Sequence, residues 1–295
     1  MPAEFRAQTV YLHVRTNGVK LTFYTDSGGA CLIKKSVAAS AQLASHSVAD
    51  PQLRASLPPG TLQAQVSAWQ PIDVPLLETS PLLVVPEVRQ ITGWPEQADG
   101  ILGQAWFAGR VWTWDYVKEQ LWLDPPGWHP ASKQAHPLAI AFRSDKEGNP
   151  VTHFVRVTAQ LDGTVLPFLL DTGAETYLTV PAWKQMHDGL PRLRSTSMLV
   201  ERIVESLHQR HPNWPYIANA QMTTHGAMLR VPDVELAGVH LGPVWFTARP
   251  NKNFEQMMSS LTAGTVEGSL GGNALADAAL TVDYKRAKAW IVPYH

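Results

Sequence analysis

Two short stretches of this 295-residue chain end an apolar run on an acid and turn at once. LTFYTDSGGACLI, residues 21 to 33, carries Asp26-Ser27-Gly28, and FLLDTGAETYL, residues 168 to 178, carries Asp171-Thr172-Gly173. Two carboxyl groups held about 3 Å apart in a poorly hydrated site cannot both ionise. One then serves as a base and the other as an acid near the same pH. Such a pair titrates as a unit, so neither Asp26 nor Asp171 is assigned the proton.

The stretches belong to a longer internal repeat. Asp26 and Asp171 are offset by 145 residues, and Asn17-Gly18 and Asp162-Gly163 stand eight residues before them. An x-Gly turn followed by an extended run signals a hairpin. Downstream, DGILGQAWFAGRVWTWDYVKEQLWL (99 to 123) answers to EGSLGGNALADAALTVDYKRAKAWI (267 to 291). Gly100, Gly103, Asp115, Tyr116 and Trp122 match Gly268, Gly271, Asp283, Tyr284 and Trp290 at an offset of 168. The offsets differ by 23 residues, so the second half carries a net insertion, read as the helical stretch MLVERIVESLHQRH at 198 to 211. One such turn is ordinary strand punctuation. Two in matching frames, each followed by the same later element, call for another reason.

The elements that must position the acids read as strands. LTFYT, VRVTAQL, VPLLE, RVWTWDY and LTVDY are short, apolar and bounded by turn residues. The helical stretch puts Met198, Leu199, Ile203, Val204 and Leu207 on one face. The Pro-rich run DPPGWHPASKQAHP (124 to 137) reads as a linker, and HPLAIAF (136 to 142) as a strand before the second copy. At the offset of 145, the partner of Leu138 falls before Met1, so the first half is expected to lack this strand. Trp112 and Trp114 alternate on a strand and are expected in the core. The Asp115-Tyr116 and Asp283-Tyr284 pairs are read as turns entering the last strand of each half.

These residues resemble the aspartic peptidases of the retropepsin and pepsin clan. The resemblance rests on Asp26-Ser27-Gly28 and Asp171-Thr172-Gly173 with Ile101-Leu102-Gly103 and Ser269-Leu270-Gly271 downstream, and it covers nearly the whole chain as two fused copies. It implies an all-β, two-lobed acid-protease barrel fold with pseudo-twofold symmetry. The expected lobes are residues 1–130, carrying Asp26, and 136–295, carrying Asp171. It further implies an aspartic endopeptidase whose water is activated between Asp26 and Asp171. Ser27 and Thr172 would tie the two loops together, and Gly28 and Gly173 would let them approach across the axis. The apolar-Gly segments would pack beneath the loops. A closing hairpin is expected at 222 to 236 with His225 and Gly226 at its tip, and a stiffer one at 57 to 69 with Gly60 beside Pro58 and Pro59. The sequence departs from the family at Thr25, Gly29 and Ser269, and pepsin's disulfides and flap tyrosine are missing. The alternative is a catalytically weak or inactive peptide-binding module on the same fold; a structural or inhibitor role is a third reading.

Composition narrows the partners. Net charge is −1 with no long basic run, so nucleic acid and anionic membranes are poor partners. The single cysteine, Cys31, forms no internal disulfide and no cysteine metal site. His208 and His211 are three apart, and His129 and His136 lie near prolines, but no HExxH and no Cys/His spacing occurs, so no metal is expected. No organic cofactor is expected either. The expected partner is an extended polypeptide in the inter-lobe cleft of a monomer. No apolar run is long enough to span a bilayer, and the N-terminus lacks the apolar core of a signal peptide. The chain is therefore expected to be soluble, cytoplasmic by default, and periplasmic or secreted if a leader has been removed.

Overall fold

The structure is a computed structural model that describes residues 1, 3–77, 81–86 and 97–294. Its first half contains β1 (Ala3–Arg6), β2 (Thr9–Thr16), β3 (Val19–Thr25), β4 (Leu32–Lys34), α1 (Lys35–Ser40), β5 (Ser45–Ser47), α2 (Pro51–Ser56), β6 (Leu62–Ala64), β7 (Leu82–Val85) and β8 (Gly100–Leu102). These eight strands form one sheet in the order β1-β2-β3-β8-β4-β7-β6-β5. Helix α3 (Gln104–Phe107) leads to β9 (Val111–Asp115), β10 (Gln120–Asp124) and β11 (His136–Leu138).

The second half contains β12 (Arg156–Leu161), β13 (Thr164–Leu170), β14 (Glu175–Tyr177), α4 (Val180–Met186), β15 (Leu193–Ser195), β16 (Ser197–Val200) and α5 (Glu201–Arg210). It continues with β17 (Tyr216–Ile217), β18 (Met228–Val231), β19 (Val234–Leu236), β20 (Val239–Leu241), β21 (Val244–Arg249), β22 (Gly268–Leu270), β23 (Ala278–Asp283) and β24 (Lys288–Pro293). A nine-stranded sheet runs β17-β18-β21-β16-β22-β13-β12-β19-β20, and β14 pairs with β15 alone. The chain is thus mostly β, as the turn-bounded apolar runs require. The described strands form open sheets and no closed barrel, which corrects the barrel expectation. VPLLE is not a strand over residues 74–77, and Glu78 lies outside the described residues; the strand there is LLVV of β7.

The two large sheets repeat one wiring. Hairpins β2–β3 and β12–β13 turn at Asn17-Gly18 and Asp162-Gly163, where all four residues take positive φ. Strand β3 then runs parallel to β8, as β13 does to β22. Strand β4 is antiparallel to β8 and parallel to β7, and β16 is antiparallel to β22 and parallel to β21. This wiring corrects the placement of the insertion. Leu32 faces Ile101 and Met198 faces Ser269, so β4 answers to β16 at an offset of 166. Helix α5 is therefore the counterpart of α1. The extra residues are the β14–α4–β15 segment, which enters between the Asp171 loop and β16. Helix α4 is a defined unit there: the Thr179 hydroxyl accepts from Ala182 N at its start, and His187 closes it with φ 48.

Both halves contribute to a third sheet, β10-β9-β23-β24-β11. Its centre joins β9 to β23 with Thr113 opposite Thr281, residues that match at the offset of 168, and their hydroxyls meet at 2.8 Å. Trp112 and Trp114 are fully buried in the main core, which also takes in Phe23, Trp106, Phe168 and Phe246. Asp115 and Asp283 cap turns, their Oδ1 atoms accepting from Lys118 N and Arg286 N. Strand β9 is buried on both faces.

Candidate functional site

Asp26 and Asp171 each follow the last residue of a buried strand, and each is fixed by its own apolar-Gly element. Asp26 N donates to Leu102 O at 3.0 Å, and Asp171 N donates to Leu270 O at 2.9 Å. Each loop then closes on itself through Gly29 N to Asp26 O at 3.1 Å and Ala174 N to Asp171 O at 2.9 Å. The strand ends are thereby held in rigid sheet, and only the carboxyls project.

The two loops are bound to each other. Ser27 Oγ donates to Leu170 O at 2.9 Å and accepts from Thr172 N at 3.0 Å, while Thr172 Oγ1 accepts from Ser27 N at 3.3 Å. Both hydroxyl residues are buried. The glycines permit the approach: a Cβ on Gly28 would lie 2.5 Å from Asp171 Cγ, and one on Gly173 would lie 2.6 Å from Asp26 Cγ. The carboxyls of Asp26 and Asp171 each lie against the glycine of the opposite loop, and each bears on the other's charge. Both residues are half-buried.

Burial pushes the Asp26 carboxyl well above the usual carboxylate range, and the neighbouring Asp171 carboxyl adds to it; Gly28 N, donating to Oδ1 at 2.9 Å, opposes it. Burial raises Asp171 as well, against the neighbouring Asp26 carboxyl, the Ser269 hydroxyl, Gly173 N and the Arg249 charge. The Ser269 hydroxyl stands beside Asp171 without a fully formed hydrogen bond. A half-protonated pair of this kind donates one hydrogen bond and accepts another at a single point. It can hold a water, a hydroxyl or an amide carbonyl there.

Several charged or hydroxylic groups behind the pair escaped the sequence reading. Glu175, four residues after Asp171, is buried, and burial raises its carboxyl to about 8. Tyr11 of β2 donates to Glu175 Oε1 at 3.4 Å, and Tyr24 of β3 stacks at a tilt on Tyr11 with ring centroids 5.6 Å apart. Arg249 of β21 is buried beside them and donates to Glu175 O at 3.3 Å. Their one signal in the sequence was an acid inside the β-rich run GAETYL. Among the described residues no cluster of His, Cys, Asp and Glu is arranged to hold a metal ion.

No hydrogen bond among the described residues joins His225, Gly226 or Gly60 to the acids. Residues 222 to 236 are not a hairpin: β18 pairs with β17 and β21, and β19 pairs with β12 and β20. His225 lies in a turn in which His225 N donates to Gln221 O, and Gly226 packs against the Ala248 carbonyl, where a Cβ would come within 2.3 Å. The physical reason is Gln221, whose Oε1 accepts from Thr223 N and Thr224 N and stiffens the turn. Gly60, with φ +80, sits in the turn between α2 and β6, where Thr61 N donates to Pro58 O. A cavity of about 930 Å³, lined by His13, Arg15 and Lys20 of the β2–β3 hairpin and by Ile72, does not include the acids.

No family model matches the chain. No curated protein matches it. Among solved structures it is similar to basic 7S globulin from soybean, at 10% identity and a TM-score of 0.48, over 99% of this chain and 94% of that one. It is also similar to conglutin gamma, a basic 7S globulin from lupine seeds, at 11% identity and a TM-score of 0.49, with the same coverage. The expected membership of the aspartic peptidases is corrected: no family model places the chain there, and the two structures named are basic 7S globulins. The reading as a peptide hydrolase is withdrawn with it. A fold that places two acids together does not by itself confer turnover. No helix among the described residues is long and apolar enough to cross a membrane.

Proposed function

We propose that this protein is a peptide-binding module with little or no turnover, built as two lobes, residues 1–130 and 136–295, related by a pseudo-twofold axis. An extended peptide lies between the lobes, and the Asp26–Asp171 pair forms the polar floor of that cleft. One observation carries the reading: the two matching loops are bonded to each other, and their half-buried carboxyls lie against the opposite loop's glycine. A backbone carbonyl or a hydroxyl fits the one-donor, one-acceptor character of the pair, and an extended peptide presents such groups at regular intervals. Ser27, Gly28, Thr172 and Gly173 hold the pair in register. The module acts as a monomer, since each chain supplies both acids.

The test is binding of a statine-type peptide, whose hydroxyl suits the pair, and of its deoxy counterpart, read by calorimetry. Preference for the hydroxyl peptide by about tenfold, lost in Asp171→Asn, is the expected result, being the worth of one well-placed buried hydrogen bond. Equal affinity for the two, or none for either, would overturn the proposal. So would cleavage of an unfolded protein that stops in both Asp26→Asn and Asp171→Asn.

A further inference from the structure

Glu175 is the first residue of the β14–α4–β15 insertion and is 4% exposed. It comes from the second half of the chain, yet its carboxyl packs against the first. Oε1 accepts from the Tyr11 hydroxyl of β2, and Oε2 is buried with no hydrogen-bond partner. The groups facing it are almost all neutral. From β2 come Tyr11 and the Thr9 hydroxyl, which donates to Arg6 O at 2.6 Å. From β3 comes Tyr24, whose hydroxyl is also buried and unpartnered. Ser195 of β15 lies opposite it in the strand register. Two charges bear on this pocket: Asp171, with Asp26 beyond it, and Arg249. The Arg249 guanidinium donates to the Glu175 main-chain carbonyl and to the Met198 sulfur, not to the carboxyl. Arg6 lies over the Tyr11 ring at 4.7 Å.

A buried carboxyl with hydroxyl partners, one empty oxygen and a neighbouring acid is best satisfied as the neutral acid. Ionised, it would set a negative charge beside Asp171 with no cation on its own oxygens. We propose that Glu175 is a protonated latch: as the neutral acid it lets the insertion stay packed on β2 behind the Asp pair, and release of its proton to solvent leaves a buried charge with no cation, which draws water into the pocket, loosens the insertion and weakens peptide binding. The latch itself stands on the burial of Glu175 against the first half with one oxygen unpartnered; its effect on peptide rests on the function proposed above. Burial that lifts the acid to about 8 puts the transition just above neutral pH. Glu175 is a positioning residue, acting through the loop that carries Asp171.

Two measurements on the full chain test this with Glu175→Gln, which keeps shape and neutrality. The first is the thermal midpoint from pH 5 to pH 9. A carboxyl raised in the native state binds its proton where the unfolded chain has lost it, so stability falls from the unfolded value of about 4.3 up to the native one and then levels. The wild type is expected to fall more steeply than Glu175→Gln between pH 5 and pH 8, with the Asp pair common to both. The second is affinity for the statine-type peptide. The ratio of wild-type to Glu175→Gln affinity is expected to drop about tenfold between pH 7 and pH 9, as follows if only the protonated form binds. Parallel pH curves in the first measurement overturn the latch. A steeper wild-type midpoint with no peptide bound at any pH overturns the peptide reading instead. If Glu175→Gln does not fold, Tyr11→Phe serves. It removes a hydrogen bond that favours the charged acid, so the levelling point moves to higher pH; an unmoved point overturns the latch.

Discussion

The two acid loops share one backbone and differ in what surrounds it. Each acid's N–H bonds to the leucine of its own apolar-Gly element, and each loop glycine lies against the opposite carboxyl. The side chains then diverge. Asp26 is followed two residues on by Gly28-Gly29, and a Cβ on Gly29 would lie 2.3 Å from Asp26 Oδ2. Ala174 holds the matching place in the second loop and already has its Cβ. Ile101 lies below the first loop where Ser269 lies below the second, and buried Thr25 precedes Asp26 where Leu170 precedes Asp171. Arg249, Ser269 and Gly173 N favour charge on Asp171, while Gly28 N favours it on Asp26. A doubled backbone therefore brings the acids together, and the undoubled side chains make them unequal.

The comparison breaks most completely at the crossing glycines. Gly28→Ala or Gly173→Ala would drive a methyl into the opposite carboxyl, and the loops would have to separate. Each is expected to cost about 3 kcal/mol in urea denaturation, the upper range for overpacking a tight site, and to abolish binding of the hydroxyl peptide. Equal, small losses below about 0.5 kcal/mol would show that the loops are free to spread. Next comes the position where the copies differ. Gly29→Ala is expected to cost about 2 kcal/mol by displacing Asp26, whereas Ala174→Gly should cost about 1 kcal/mol through backbone entropy and one lost methyl. Similar values for the two would mean that Asp26 does not lean on Gly29.

Charge sharpens the inequality further. Both acids have native pKa values above their unfolded ones, so the protein keeps a proton that the unfolded chain releases. That contribution to stability is whole below the unfolded value near 3.9 and is lost as pH rises toward the native one. Asp26→Asn removes the penalty and keeps a neutral donor. Its urea midpoint at pH 7 is expected above that of the wild type, with the gap closing below pH 4. Asp171→Asn loses the contacts that favour charge there, so its gain should be smaller or reversed. Equal gains from both would make the loops electrostatic twins.

Much of this was legible because repetition is a one-dimensional signal. The offset of 145 marks residues that bond across the loops, Ser27 with Thr172, and the offset of 168 marks Thr113 with Thr281 in the shared sheet. The insertion was misplaced because the amphipathic run 198 to 211 looked foreign, whereas Met198 and Leu199 belong to β16 and only residues 201–210 are helical. Short α1 concealed the match, since six residues show little periodicity. The hairpin expected at 222 to 236 failed for a related reason: alternation reveals a strand but not its partner, and pairing is a tertiary matter. Glu175 went unremarked beside the motif it adjoins, because burial of a single acid leaves no mark on sequence pattern. The family resemblance read two loops as an activity, and loops alone do not carry one.

Thr25 offers the smallest and cleanest test of the difference between the copies. It is fully buried, and its hydroxyl donates to Val10 O of the neighbouring strand at 3.1 Å. A polar atom in that place costs free energy unless bonded, and here the adjacent strand supplies the acceptor. Leu170 meets the same place in the second loop with carbon alone. Thr25→Val keeps the branched shape, removes the bond, and is expected to lower stability by about 1 kcal/mol, the net worth of one hydrogen bond partly offset by a buried methyl. Peptide affinity should stay within about twofold, because the Asp26 backbone is held by Leu102 rather than by this hydroxyl. Urea denaturation and calorimetry on the same preparation read both quantities. An affinity loss beyond tenfold at unchanged stability would place Thr25 in the binding machinery, and the asymmetry of the loops would then be functional on the first side as well as the second.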